Sequence, residues 1–382
     1  MSHSRISVPG LRVASILLGR VLLLAFLTIT LLSACGNPSV SNASNTPNAS
    51  NTPNSSNTPL LFPPLPAGTP TNSPHQPLAT ATQGKHPNFR GIYQFKGGDD
   101  PANASNPYLA GANITFYWSQ LEPTKGQYNW TLLDQAMKPW IDNGKKIILR
   151  ISTSGWAHWT PPYSGHGTPQ WVYDAGVPSV TEIDGAVFPQ YWHPYYLQSL
   201  TDFVHALARR YDGNDNIVYV QIGVGVGGET KVDTEGSANP DLLQLWQNIG
   251  YTDQVWWNTV QNIITIYKSS FHITPLAVMP DATFIGKTPG YRESLVLNYA
   301  VQHGIWLQDN GLVTNRTLPS VWMSVPHAEE QLAPTNKTGD TLQSELASAL
   351  SLGASYILVF TTDINNPANR ATLQWASAHI TS

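Results

Sequence analysis

Cysteine is all but missing from this sequence: Cys35 stands alone among 382 residues. One thiol forms no intramolecular disulfide and no cysteine-based metal site, so thiol catalysis and a disulfide scaffold are both excluded. Charge is scarce too. Only 12% of residues are Asp, Glu, Lys or Arg, the formal net charge is −4, and no basic block or stripe occurs. Nucleic acid is therefore not expected as a partner. His158, His166 and His193 lack metal-ligand spacing, so neither a catalytic metal nor a cofactor is expected.

What is present begins with an address. Arg5, Arg12 and Arg20 precede an apolar run from Val21 to Leu32, followed by Leu32-Ser33-Ala34-Cys35. A basic segment, an apolar segment and small residues before a cut site describe an export signal over residues 1–34 rather than a fold element. The last four residues resemble the bacterial lipobox, which implies cleavage before Cys35, lipidation of its thiol, and a lipid-anchored place at the cell surface. Residues 35–87 are rich in Ser, Asn, Thr and Pro, with SNTPN-like phrases from Ser41 to Pro59. Such a stretch buries too little apolar surface to offset the entropy of ordering, and it reads as a disordered tether. An exported protein without disulfides needs a large core, which residues 88–382 are long enough to build. That part carries most of the 13 Trp and 16 Tyr. Aromatics in excess of charge suit a neutral ligand with apolar faces, such as a sugar ring.

From Arg90 onward short apolar strands alternate with amphipathic helices, a pattern of parallel βα units. The expected strands are Gly91–Phe95, Asn113–Trp118, Lys146–Ile151, one starting at Ile217, Pro275–Met279, Ile305–Leu307, Val321–Val325 and Tyr356–Phe360. Helices are expected around Leu133–Ile141, over Pro194–Tyr211 and Gln254–Tyr267, over Arg292–His303, around Leu342–Leu350 and over Ala368–Ile380. None is expected between the sixth and seventh strands. Eight strands of this kind predict an α/β fold, a single (β/α)8 TIM barrel. A doubly wound open sheet is the alternative, but no glycine-rich phosphate loop follows the first strand.

The stretch IVYVQIGVGVGGE, Ile217 to Glu229, concentrates the chemistry. A buried strand dissolves into glycines and delivers a carboxylate, as a barrel does when it presents a catalytic group at its C-terminal rim. Glu329 or Glu330 follows the expected seventh strand. Two carboxylates brought to one barrel mouth suit glycoside hydrolysis, one donating a proton and the other attacking the anomeric carbon or activating water. A one-residue shift of that strand would turn Glu330 inward in place of Glu329.

The phrase FYWSQLEPTKGQYNWTLLDQAMKPWIDNGKKIILRI, Phe116 to Ile151, resembles the second-strand region of glycoside hydrolase clan A. Pro169-Gln170-Trp171-Val172 and Ala208-Arg209-Arg210-Tyr211 are similar to beta-galactosidase-like families 35 and 42. Glu329-Glu330-Gln331, with Asn336, Ala349 and Gly353-Ala354, resembles the nucleophile segment of that group. The resemblance implies Glu229 as acid/base, Glu329 as nucleophile and Arg150 as a sugar-binding or nucleophile-orienting cation. It also implies a β-linked glycan hydrolysed with retention. Clan A enzymes carry Asn before the acid/base, and this chain has Gly228 there.

His158, Trp159, Trp118 and Trp171 are candidate sugar platforms, and Asp281 and Asp309 candidate hydroxyl ligands. For Trp118 and Trp322 a place in the core is equally open, and for Arg150 a structural salt bridge. Gln221 is expected to point into the barrel, and Glu122 to anchor its loop. The expected function is a glycoside hydrolase acting on an oligo- or polysaccharide. Two alternatives stay open: a barrel that binds polysaccharide without cleaving it, and a two-lobed solute-binding lipoprotein.

Overall fold

The computed structural model describes residues 89–96, 101–155, 167–182, 185–233, 240–285, 287 and 293–380. The expected signal, Cys35, the tether, His158 and Trp159 lie outside them. The strands in chain order are β1 (Gly91–Phe95), β2 (Gly111–Tyr117), β3 (Lys146–Ser152), β4 (Ser179–Thr181) and β5 (Val187–Pro189). They continue as β6 (Ile217–Gln221), β7 (Leu276–Val278), β8 (Trp306–Leu312), β9 (His327–Gln331) and β10 (Tyr356–Phe360). Eight of them close a parallel ring in the order β1-β10-β9-β8-β7-β6-β3-β2, and β1 pairs with β2 to complete it. This is the expected (β/α)8 barrel, not an open sheet and not two lobes. Strands β4 and β5 form a small antiparallel hairpin in the long connection after β3, which sequence periodicity did not reveal.

The helices follow from their apolar stripes. Pro194–Tyr211 buries Tyr196, Leu200, Phe203, Val204, Leu207 and Tyr211 on one face. Proline at its first position and Arg209 and Arg210 in its last turn suit the two ends of the helix dipole. Asp253–Ser270 starts at Thr252, whose hydroxyl accepts from the Val255 amide at 3.1 Å. The helices Trp130–Asp142, Glu293–Gln302, Leu342–Ser351 and Arg370–Ile380 fall close to their expected places. Pro240–Asn248 is an additional one.

The seventh barrel strand requires a correction. Val321–Val325 is not a strand: Ser320–Ser324 is a single 3-10 turn, and the strand is β9, with sequence HAEEQ. Apolar content pointed to the wrong segment because β9 is polar on both faces. Ala328 belongs to the inner cluster of the barrel with Tyr93, Ile148, Tyr219, Tyr356 and Leu358. Successive side chains of a strand alternate faces, so Glu330 points inward with Ala328, while Glu329 and Gln331 point to the helix layer. Gln331 bonds there to Glu345 at 2.6 Å and to Asp363 at 3.1 Å, which satisfies buried polar groups between sheet and helices.

Inside the ring the layers change character along the axis. Tyr93, Tyr219, Trp306 and Tyr356 fill the N-terminal end, with the rings of Tyr219 and Tyr356 5.5 Å apart and those of Trp306 and Tyr356 5.7 Å apart. Arg150, Gln221, Gln308 and Glu330 occupy the C-terminal end. The barrel is plugged by aromatics below and polar above.

Candidate active site

The polar layer takes one residue from each of four ring strands. Arg150, on β3, donates through Nε to Gln221 Oε1 on β6 and through Nη2 to Glu330 Oε2 on β9. Gln308 Nε2, on β8, donates to the same Glu330 oxygen at 2.8 Å, and Gln308 Oε1 accepts from the Tyr219 hydroxyl at 2.8 Å. The Arg150 guanidinium lies 5.1 Å from the centre of the Phe95 ring. Burial pushes the Glu330 carboxyl above the usual carboxylate range, against the opposing pull of Arg150 and Gln308. A charge pair this enclosed holds its geometry firmly, since removing either partner would strand the other.

Above this layer stands Glu229. After Gln221 the chain leaves the ring and folds back on itself: Gly225 N donates to Glu229 O at 2.8 Å and Val226 N to Lys231 O at 3.1 Å. The return leg pairs with the end of β7 through Glu229 and Met279. Two glycines make this possible. A Cβ on Gly225 would meet the Lys231 carbonyl oxygen at 2.1 Å. Gly228 adopts φ +90°, and a Cβ there would sit 3.1 Å from Gln221 Nε2. A side chain at the position where clan A enzymes carry Asn would therefore be strained by the backbone angle and would press on Gln221 beneath it.

Glu229 is buried, with 7% of its surface exposed. Its Oε1 accepts from Asn310 Nδ2 at 2.7 Å, and its Oε2 contacts the Lys231 ammonium. Lys231 also reaches Asp281 at 2.9 Å. Burial and the neighbouring Asp281 push Glu229 up to about 7 against the opposing pull of Lys231. Asp281 is held below its ordinary range: burial alone would raise it, but Lys231 and its hydrogen bonds win. One carboxyl of this group is thus protonated near neutrality while its neighbour stays charged.

Gln308 and Asn310 link the two acids. Both lie on β8, two residues apart, and both contact groups inside the ring. Two residues of strand span roughly 6.6–6.8 Å, so Gln308 and Asn310 are about that far apart along β8.

The other expected residues fall elsewhere. Glu329 is fully buried on the outer face of β9, with Asp309 opposite it and His327 Nε2 at 3.7 Å. Asp309 does not line the mouth either, because it accepts from Arg316 at 2.6 and 2.8 Å. Burial and Asp309 push Glu329 up to about 9, so it carries a proton at neutral pH. His327 is lowered by burial and stays neutral beside it. Trp118 is not on a strand but opens the single helical turn Trp118–Leu121; it is fully buried against Trp171, Tyr196 and Phe203. Trp171 packs edge-on to it and donates to the Glu122 carbonyl at 3.1 Å. Neither indole faces the barrel mouth through these contacts. Glu122 accepts from the Trp118 indole and the Gly126 amide, each at 2.7 Å, and so anchors its loop. Trp322 is core. Lys231, Gln308 and Asn310 were not singled out from the sequence. Their only signal is spacing, each two residues from another inward-facing polar group. Among the described residues no three His, Cys, Asp or Glu side chains converge as a metal cage.

Residues 111–260 match the family profile of glycoside hydrolase family 42, beta-galactosidase. The match includes Arg150 and Glu229 and ends before Glu330. Among solved structures, the chain is similar to the catalytic domain of a beta-amylase from Paenibacillus polymyxa, at 11% identity and a TM-score of 0.54. That likeness covers 70% of this chain and 91% of the other, and it is a likeness of fold. No curated protein matches the sequence. The chain thus resembles glycoside hydrolases in sequence over β2 to β6, and in its barrel.

Proposed function

We propose that the protein hydrolyses a β-linked glycosidic bond at the C-terminal mouth of the barrel, with Glu229 as acid/base and Glu330 as nucleophile. The observation that carries this reading is the pair of environments: one carboxyl after the fourth ring strand, poised near neutrality, and one on the inner face of the seventh, bonded to Arg150. Glu330 replaces Glu329, the expected nucleophile, because only Glu330 lies on the inner face.

In the first step Glu330 attacks the anomeric carbon as the bond to the leaving oxygen breaks, and Glu229 gives that oxygen its proton. Both bonds of Glu330 to Arg150 and Gln308 fall on Oε2, which leaves Oε1 for the attack. In the second step Glu229, now a carboxylate, takes a proton from water. The water oxygen attacks the anomeric carbon and releases Glu330, so the configuration is retained. Asn310 keeps the acid aimed throughout.

The test is a panel of aryl glycosides and plant or fungal polysaccharides, with wild type beside Glu229→Gln and Glu330→Gln. A fluorinated glycoside that traps the covalent intermediate should label the peptide holding Glu330. Label on any other peptide, or turnover surviving in Glu330→Gln, defeats the assignment. Gly228 in place of Asn favours a second reading, a barrel that binds polysaccharide without cleaving it. Saturable polysaccharide binding, unchanged in Glu229→Gln and with no hydrolysis across the panel, would establish that reading instead.

The proposed site of action is the cell surface, through a lipid on Cys35. Metabolic labelling with a fatty acid should mark the wild type and spare Cys35→Ala; equal labelling of both would remove the anchor.

A further inference from the structure

Lys231 and Asp281 are not explained by sugar contact. Their charged groups are committed to each other and to Glu229. We propose that they are positioning residues that hold the Glu229 carboxyl and govern its proton. This rests on the reading of Glu229 as acid/base.

The geometry begins with the return leg of the glycine turn. Glu229 and Lys231 are two residues apart on this leg, and their charged groups meet. Thr230, between them, fixes the leg. Its hydroxyl bonds to Thr283 at 2.8 Å and accepts from the Asp281 amide at 3.1 Å. The Thr230 carbonyl accepts from the Trp256 indole at 3.0 Å. Asp281 is fixed in turn, since its Oδ1 accepts from the Ala282 amide at 2.7 Å. That leaves Oδ2 to meet Lys231 at 2.9 Å and Asn310 at 3.4 Å. The ammonium of Lys231 therefore lies between two carboxyls that are both held from other directions.

Charge accounting gives this clamp its effect. With Glu229 protonated, Lys231 and Asp281 cancel. With Glu229 ionised, two carboxylates share one ammonium. The acid therefore releases its proton into a site with a cation already in contact, but with a second anion that favours taking it back. A group that must be acid in one step and base in the next needs that balance. Among the described residues, Glu229 is faced by Lys231 from its own leg, Asp281 from the end of β7 and Asn310 from β8. The Lys96 ammonium acts on it from the end of β1.

The experiment is the pH profile of kcat/KM for an aryl glycoside turned over by the wild type, compared across Asp281→Asn, Lys231→Met and Lys231→Arg. The alkaline limb reports loss of the acid's proton. Asp281→Asn removes an anion and should move that limb to lower pH; Lys231→Met removes a cation and should move it higher. Each shift is expected to be about 1–3 pH units. Lys231→Arg should keep the wild-type limb, and KM should stay within about threefold in all three. An unmoved limb overturns the proposal, and a rise in KM without a shift makes the two residues sugar contacts.

Infrared difference titration of wild type against Glu229→Gln reads the same carboxyl without turnover, and repeating it in the Asp281→Asn background gives the shift directly. If no glycoside is cleaved, the enzyme reading fails, while a displaced infrared titration still supports the clamp and an undisplaced one removes it. Asp281→Asn, nearly isosteric, serves that measurement should Lys231→Met not fold.

Discussion

Glu329 and Glu330 are neighbours in the chain and opposites in the structure. Glu330 faces the barrel interior, where Arg150 and Gln308 bind it. Glu329 faces the helix layer, where another acid, Asp309, lies opposite and a neutral histidine stands 3.7 Å away. One carboxyl sits against a cation that favours its charged form, and the other against an acid that favours its protonated form. The face of the strand, not proximity to a motif, assigns the role.

The most direct way to break this comparison is to mutate both. Glu330→Gln should lower kcat by about 10³-fold or more, and Glu329→Gln by no more than about threefold. Equal losses in steady-state kinetics would erase the distinction. Glu229→Gln should cost about 10²–10⁴-fold on substrates with poor leaving groups and far less on activated aryl glycosides, because only the former need the proton. A loss independent of leaving group would count against an acid. Arg150→Met should destabilise the fold by about 3 kcal/mol or more in denaturant melts, since it leaves Glu330 buried without its cation. Replacing Glu330 with Gln in the same chain should recover part of that loss.

The outer acid predicts a pH effect on stability rather than on rate. Its folded pKa of about 9 lies above the ordinary 4.5, so the folded state holds this proton more tightly than the unfolded chain. The contribution is fully present below about 4.5 and is lost as pH rises through about 9. Glu329→Gln should therefore flatten the fall of Tm on the alkaline side; a fall as steep as wild type would show that the proton is not held there. The smallest effect is expected at the turn. Gly228→Ala should cost about 1–2 kcal/mol from its backbone angle and the Gln221 contact, read by thermal melts. A neutral result would mean the turn relaxes.

Much of the barrel was legible in the sequence. Gly91–Phe95 and Tyr356–Phe360 are strands at their expected bounds, and Pro194–Tyr211 is a helix at its expected bounds, because each carries an uninterrupted apolar pattern or a clear start signal. Strand β9 was not legible. Glu330 and Gln331 are held there by Arg150, Gln308, Glu345 and Asp363, none of them adjacent in sequence, and hydrophobic periodicity cannot register burial of that kind. The candidate site divides the same way. Glu229 and Arg150 stood out as a carboxylate after glycines and a cation on an apolar strand. Lys231 and Asn310 look like ordinary polar residues until the ring closes.

The order of strands and helices, and the glycine turn that delivers Glu229, were set by local pattern, which needs only neighbouring residues to express itself. Which glutamate of the pair faces inward, and which cation and amides meet it, was decided by closure of the barrel. Closure fixes strand register, and register alone determines the face on which each side chain lands.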